Sequence, residues 1–248
     1  MTGKNKPRLE RELRFLSEIG AEFIFVPEGK RRPLIKGPGA GLPPSGAESP
    51  RSHIQPTGNE ERPKVLQDIA QKILICTLCP LSQGRTNAVP GEGNNRAEVM
   101  FVGEGPGADE DSQGRPFVGR AGQLLTRIIT AMGFKREDVY ITNIVKCRPP
   151  KNRTPVREEI DACKPYLISQ IEAIAPRVIV SLGKVATDFF HPSPTGMTKL
   201  RGQFVEYGKV LVMPTFHPSY IVRNEGNKEL KKLVWQDMKQ VMAILSKK

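Results

Sequence analysis

The sequence predicts an α/β fold, with three α/β/α layers around a mostly parallel central sheet of about four strands. Three observations predict it. Short apolar runs near residues 99, 140, 179 and 211 have the length of buried strands. Segments of helical periodicity separate those runs, which is the alternation of a doubly wound sheet. A glycine-rich turn, Gly103 to Gly107, follows the first run at once. In open α/β sheets the crevice beyond the carboxyl ends of the strands is where ligands bind, so this turn is read as one wall of an active site.

Taken in order, residues 1–60 form an extension separate from a domain spanning 61–248. Residues 10–26 read as a short amphipathic helix followed by a strand-like Phe23–Val26. The stretch 37–46, GPGAGLPPSG, has seven Gly or Pro in ten residues, which neither helix nor strand survives, and 28–61 is expected to be a poorly ordered linker. Val65, Leu66, Ile69, Ile73 and Leu74 have helical spacing over 63–75. Val99–Val102 is the first strand. A loop with Asp109, Glu110, Asp111 and Phe117 follows it, and a helix starts near Gly119. Val139–Ile144 is a strand, and Pro155–Ala175 a helix with Pro155 in its first turn. Val178–Leu182 is a strand, Lys184–Phe190 a helix, and Val210–Met213 a strand. A closing helix over 227–245 carries Leu230, Leu233, Val234, Met238, Val241 and Met242 on one face.

The 248 residues suffice for one sizeable domain and an appendage, and 38% hydrophobic residues permit a core. The formal net charge is +12, of which residues 1–60 carry only +3. The basic surface therefore belongs to the main domain and suggests a polyanionic partner, nucleic acid first. No apolar run approaches the ~20 residues of a membrane span, and the N-terminus lacks the apolar core of a secretory signal. A cytosolic protein is expected, with cysteines free or metal-bound rather than paired in disulfides.

Parallel strands bring three loop starts to one edge: GEGPGADED from 103, Asn143 in TNIVKCRPPKNR, and His217 in PTFHPSYIVR. Of the three histidines, His53 lies in the linker, His191 begins a polar loop, and His217 alone reaches that edge. GEGPGA fits a loose dinucleotide fingerprint, but the three carboxylates behind it would repel a pyrophosphate. A P-loop is excluded because no GK[ST] occurs. Cys76, Cys79, Cys147 and Cys163 are spaced C-x2-C, then 67 residues, then C-x15-C. One tetrathiolate site for zinc or an iron–sulfur cluster uses all four, and the wide second pair fits a zinc ribbon poorly.

The GEGPGADED loop, GRPFVGRAGQLL, ITNIVKCRPPKNRTP, the four-cysteine spacing and HPSYIVR together resemble the family-4 uracil-DNA glycosylases over about residues 65–245. The resemblance implies a [4Fe–4S] cluster on the four cysteines and excision of uracil from single- or double-stranded DNA to leave an abasic site. A related branch bonds covalently to DNA through an extra basic, histidine-bearing loop. CRPPKNRTP is short and lacks it, so ordinary hydrolysis is expected.

The base must be flipped out of the helix before its bond can be reached. The resemblance implies that Phe117 stacks on it, that the Asn143 amide matches uracil O4 and N3–H, and that Glu110 sits beside C5. Glu104 and Gly105 backbone groups line the base edge, and His217 hydrogen-bonds O2 as negative charge grows there. Glu104 is the candidate for orienting the attacking water, and Asn152 the alternative for water or a phosphate.

Lys146, Arg148, Lys151 and Arg153, with Arg85, Arg115, Arg120 and Arg223, are candidate phosphate contacts. Ile221–Arg223 is a candidate wedge. The enzyme is expected to be a monomer. PLIKG, 33–37, and the basic N-terminus are candidates for recruiting a sliding clamp or a replication partner. The rival functions are a non-catalytic DNA-binding module clipped by iron–sulfur or zinc, an iron–sulfur electron carrier, and a glycosylase for other deaminated bases.

Overall fold

The computed structural model describes residues 62–247 and, alone among the preceding residues, Ser17. The helix, strand, linker and recruitment expectations for residues 1–60 lie outside the described residues, Ser17 excepted. The helices are α1 Arg62–Leu74, α2 Leu81–Gly84, α3 Ala108–Gln113, α4 Arg120–Ala131, α5 Arg157–Ile174, α6 Lys184–Phe190, α7 Met197–Leu200, α8 Pro218–Arg223 and α9 Lys228–Leu245. The strands are β1 Glu92–Gly93, β2 Val99–Gly103, β3 Tyr140–Asn143, β4 Val178–Leu182, β5 Val205–Tyr207 and β6 Val210–Thr215.

The sheet runs β1-β3-β2-β4-β6-β5. Its four inner strands are parallel and are the four expected from the sequence. The two additions, β1 and β5, are antiparallel edge strands of two and three residues. Neither contains the apolar run that marks a buried strand: β1 is Glu-Gly and β5 is Val-Glu-Tyr.

Side chains alternate across the pleat and divide the core in two. Val99 and Phe101 of β2 face a cluster with Leu124, Leu125, Ile128 and Ile129 of α4 and Val234, Trp235, Met238 and Val241 of α9. Met100 and Val102 face the opposite cluster, with Leu167, Ile171 and Ile174 of α5 and Phe190 of α6. The result is the three-layer α/β/α arrangement. Val99 to Val102 are all at most 1% exposed, so β2 is covered on both faces, as a central parallel strand must be.

Two local expectations are corrected. The acidic segment after β2 is largely the short helix α3, closed by Gly114 at φ 66. Helix α5 begins at Arg157 rather than with Pro155 in its first turn. The Glu159 carboxylate reaches back to accept the Val156 N–H at 2.9 Å and also takes both Arg153 amino groups, at 2.6 and 2.8 Å. That cap fixes Val156 as the helix boundary and leaves Pro155 in the incoming chain.

Phe101 is fully buried at the centre of the sheet. Phe101→Ala is expected to cost about 3–5 kcal/mol, read as a lowered urea midpoint. A loss under about 1 kcal/mol would contradict a rigid core there.

Candidate active site

The site is built where β2 and β3 end. Their pairing brings Gly103 opposite Asn143. It then continues into the loops, because Ile144 N–H donates to Gly103 O at 2.9 Å and Val145 N–H to Glu104 O at 3.1 Å. A Cβ on Gly103 would lie 2.4 Å from Asn143 Oδ1 and 2.5 Å from Phe117 Cζ. Only glycine lets the amide and the ring meet over the strand end. The Phe117 and His217 rings lie 5.8 Å apart, centroid to centroid, tilted by 33°. His217 comes from the end of β6, which is anchored from behind. Thr215 Oγ1 donates to the buried Asp237 at 2.6 Å, and Arg201 pairs with the same carboxylate. Three loops thus deliver Asn143, Phe117 and His217 to one place, and the expected convergence of strand ends is observed.

Phe117 sits in the left-handed region at φ 52, a conformation worth about 1–3 kcal/mol of strain for a non-glycine residue. Its neighbours hold it there. Glu110 Oε1 accepts from Val118 N–H at 2.8 Å and Gly119 N–H at 2.9 Å, and Oε2 accepts from Gly107 N–H at 3.1 Å. On the other side the Arg136 guanidinium donates to Pro116 O. The Glu110 carboxylate, placed beside the base by resemblance, is therefore engaged with backbone as the brace of the Phe117 loop. Asp111 is likewise inward, buried and accepting from Thr86 and Asn87 N–H.

The polar groups at the strand ends differ sharply in state. Ser219 N–H donates to His217 Nδ1 at 3.1 Å, and Ser219 Oγ lies 2.8 Å from the same nitrogen. Nδ1 is an acceptor, so the ring hydrogen resides on Nε2. Burial, helped by the Arg223 charge, pushes the His217 pKa down to about 4. The imidazole is neutral at pH 7 and offers one N–H. Asn143 is 1% exposed, and among the described residues its Oδ1 has no hydrogen-bond partner. A buried orphan acceptor costs about 1–3 kcal/mol, which a ligand donor would recover. Glu104 is half-buried, and burial raises its carboxyl above the usual range against an opposing Thr154 hydrogen bond. The Gly105 backbone runs so close to Val145 that an added Cβ would lie 2.8 Å from Val145 Cγ2. Asn152 is exposed at φ 56, and its side chain accepts from Arg148 Nε at 2.8 Å.

Several basic residues turn inward. Lys146, expected on phosphate, is 1% exposed and donates to Thr142 Oγ1 at 2.6 Å and to Asn143 O and Gln170 Oε1 at 2.7 Å each. Burial pushes its pKa down to about 7. Arg85 donates to Cys147 Sγ and Leu74 O. Arg115 and Arg153 stay exposed, paired with Glu92 and Glu159. Lys151, Arg120 and Arg223 are exposed. Ile221, expected in a wedge, is 2% exposed and belongs to the core, whereas its neighbour Tyr220 is 41% exposed. Sequence reasoning missed the fixing of the His217 ring by Ser219. The His-Pro-Ser order is its signal, since a residue two positions on can donate its N–H to a capping side chain.

Cys76, Cys79, Cys147 and Cys163 line one space together with Ile73, Leu78 and Tyr166. Cys147 and Cys163 are buried, and Cys76 and Cys79 half-exposed. Arg85 Nη1 donates to Cys147 Sγ at 3.0 Å, and Lys146 N–H to Cys163 Sγ at 3.3 Å. Burial raises the Cys163 thiol to about 11 and shifts Cys147 upward too. Positive charge supplied by a bound metal would be needed to hold them as thiolates. Among the described residues no three His, Cys, Asp or Glu side chains converge closely enough to hold a single ion. Nor is any helix among them long and apolar enough to cross a membrane.

A family model described as the uracil DNA glycosylase superfamily matches residues 90–239. A type-4 uracil-DNA glycosylase from Thermotoga maritima is 49% identical over 188 residues, covering 75% of this chain and 97% of that protein. Another, from Saccharolobus solfataricus, is 47% identical over 189 residues, 73% and 86% of the two chains. A type-5 uracil-DNA glycosylase from Pyrobaculum aerophilum is 36% identical over 155 residues, 56% and 68%. The chain belongs to the type-4 uracil-DNA glycosylases.

The low His217 pKa has a consequence for stability. Between its ordinary value of 6.5 and about 4, the unfolded chain carries a proton that the native ring refuses. Stability is expected to fall as pH drops through that window, and this residue contributes no pH dependence above it. Urea midpoints should therefore fall more steeply for the wild type than for His217→Gln. Equal slopes would contradict a neutral native imidazole.

Proposed function

We propose that residues 61–248 act as a uracil-DNA glycosylase domain that flips uracil from DNA and hydrolyses its N-glycosidic bond. The observation that carries this reading is the unpartnered Asn143 Oδ1, held beside the Phe117 ring and across from a neutral His217. Uracil presents N3–H and O4 side by side, a donor and an acceptor that the Asn143 amide complements. Cytosine presents the reversed pair and would leave that amide unmatched. Phe117 offers its ring face for stacking.

As the bond breaks, the electron pair moves to N1 and is shared with O2. The Nε2–H of His217 hydrogen-bonds O2 and keeps its hydrogen, so the interaction strengthens only as charge develops. Water adds to C1′, and its proton passes to Glu104, whose raised pKa favours uptake, and from there to the departing uracil or solvent. The domain carries +9 of the net charge, and exposed Arg120, Lys151 and Arg223 are its phosphate contacts.

Asn143→Ala and His217→Ala are each expected to lower kcat on a uracil-containing oligonucleotide by about 10²–10³. The readout is alkali-labile cleavage. Wild-type rates in the double variant would remove the catalytic assignment.

The four thiols line one space, and the wide spacing of Cys147 and Cys163 suits a zinc ribbon poorly, which supports a [4Fe–4S] cluster as the group they hold. The N–H groups of Arg85 and Lys146 on sulfur suit such a group. Bound there, a cluster supplies covalent ties between the end of α1, the loop after β3, and α5. Anaerobically purified protein is expected to be brown, with four irons per chain. Colourless protein with stoichiometric zinc would replace this reading.

A further inference from the structure

Lys146 is the buried charged residue that the proposed chemistry leaves without a role. Its three ammonium hydrogens meet three acceptors: Thr142 Oγ1 at 2.6 Å, Asn143 O at 2.7 Å and Gln170 Oε1 at 2.7 Å. Those acceptors are themselves fixed. Thr142 Oγ1 donates to Pro90 O at 2.9 Å, and Gln170 Nε2 donates to Pro90 O at 2.8 Å and lies 3.2 Å from Tyr140 OH. Thr142, Asn143, Lys146 and Gln170 are all 0–1% exposed. A buried network this fully satisfied holds one geometry, because moving any member orphans another.

The other end of the same residue reaches the thiols. Its backbone N–H donates to Cys163 Sγ, the residue lines the cysteine space, and Cys147 is the next residue. Asn143, by contrast, has an amide oxygen that nothing in the described protein holds. The pose of that amide is set by the strand beneath it and by packing over Gly103 beside Phe117, and Lys146 is the side chain clamped onto the Asn143 carbonyl.

We propose that Lys146 is a positioning residue for base recognition: it locks the end of β3 to the cysteine site and so fixes the pose in which Asn143 reads uracil. This rests on the uracil reading above. Lys146→Met keeps the length and removes the donors. It is expected to retain full iron content, to bind free uracil about tenfold more weakly by calorimetry, and to lose tenfold or more in kcat/KM. In an Asn143→Ala background the same change is expected to alter kcat/KM by less than about threefold, since Lys146 acts through Asn143.

A merely structural lysine would instead cost the same factor in both backgrounds, or lower activity only in proportion to lost iron, and either result overturns the proposal. If Lys146→Met does not fold, Thr142→Val and Thr142→Ser decide. Loss of one ammonium acceptor is expected to cost about tenfold in kcat/KM, and the serine hydroxyl to restore it. A valine variant equal to wild type overturns the proposal. Wild-type activity on uracil with unaffected variants rejects this inference alone. A wild type inactive on uracil rejects the function and this inference together.

Discussion

A single hydrogen atom on Gly103, where every other residue carries a carbon, determines whether this site exists. The amide of Asn143 and the ring of Phe117 both occupy the space that a side chain would fill. Parallel pairing of β2 with β3 sets Asn143 directly across from that glycine, and two further backbone hydrogen bonds carry the strand register into the loops. The site is thus an extension of the sheet's register, with loop side chains holding what the strands deliver: Glu110 braces Phe117 and Ser219 holds His217.

The second organising feature is the use of charge. Glu110, Asp111 and Glu159 all spend their carboxylates on backbone N–H groups, and Lys146 spends its ammonium on a carbonyl, a hydroxyl and an amide. Three of the groups gathered at the strand ends, the Asn143 amide, the neutral His217 imidazole and the Phe117 ring, are uncharged, and the half-buried Glu104 carboxyl is the exception. A low-dielectric site with such groups can meet a developing negative charge without reorganising, which is where electrostatic preorganisation gains most.

The four parallel strands and the helices between them were legible in the sequence because buried strands leave continuous apolar runs and amphipathic helices leave a 3.6-residue stripe. Edge strands β1 and β5 left no such trace, since half-exposed two- and three-residue strands need no apolar run. Asn143 and His217 were legible because each sits at or just past a strand end, and Phe117 because GRPFVGRAGQLL carries the family resemblance. The orientation of charged residues was not. Nothing in KCRPPKNR distinguishes the wholly buried Lys146 from the exposed Lys151. Burial there depends on Gln170, Thr142 and the Pro90 carbonyl, which the fold brings in from distant positions. Likewise Ile221 reads as a surface wedge until the apolar faces of α4 and α9 are seen to enclose it.

The cysteine site is lopsided, and this bears on how the protein ages. Cys147 and Cys163 are sealed within the layer between the sheet and α5, whereas Cys76 and Cys79 follow α1 with Ile75 79% and Leu78 67% exposed beside them. Peroxide or a chelator arriving from solvent therefore meets the pair after α1 before the inner thiols. Helix α1 adds only Ile69 and Ile73 to the buried core, in a small cluster outside the two that sandwich the sheet. Exposure to oxidants is thus greatest where the site meets α1, a helix with a small share in the core, and least where it meets the sheet.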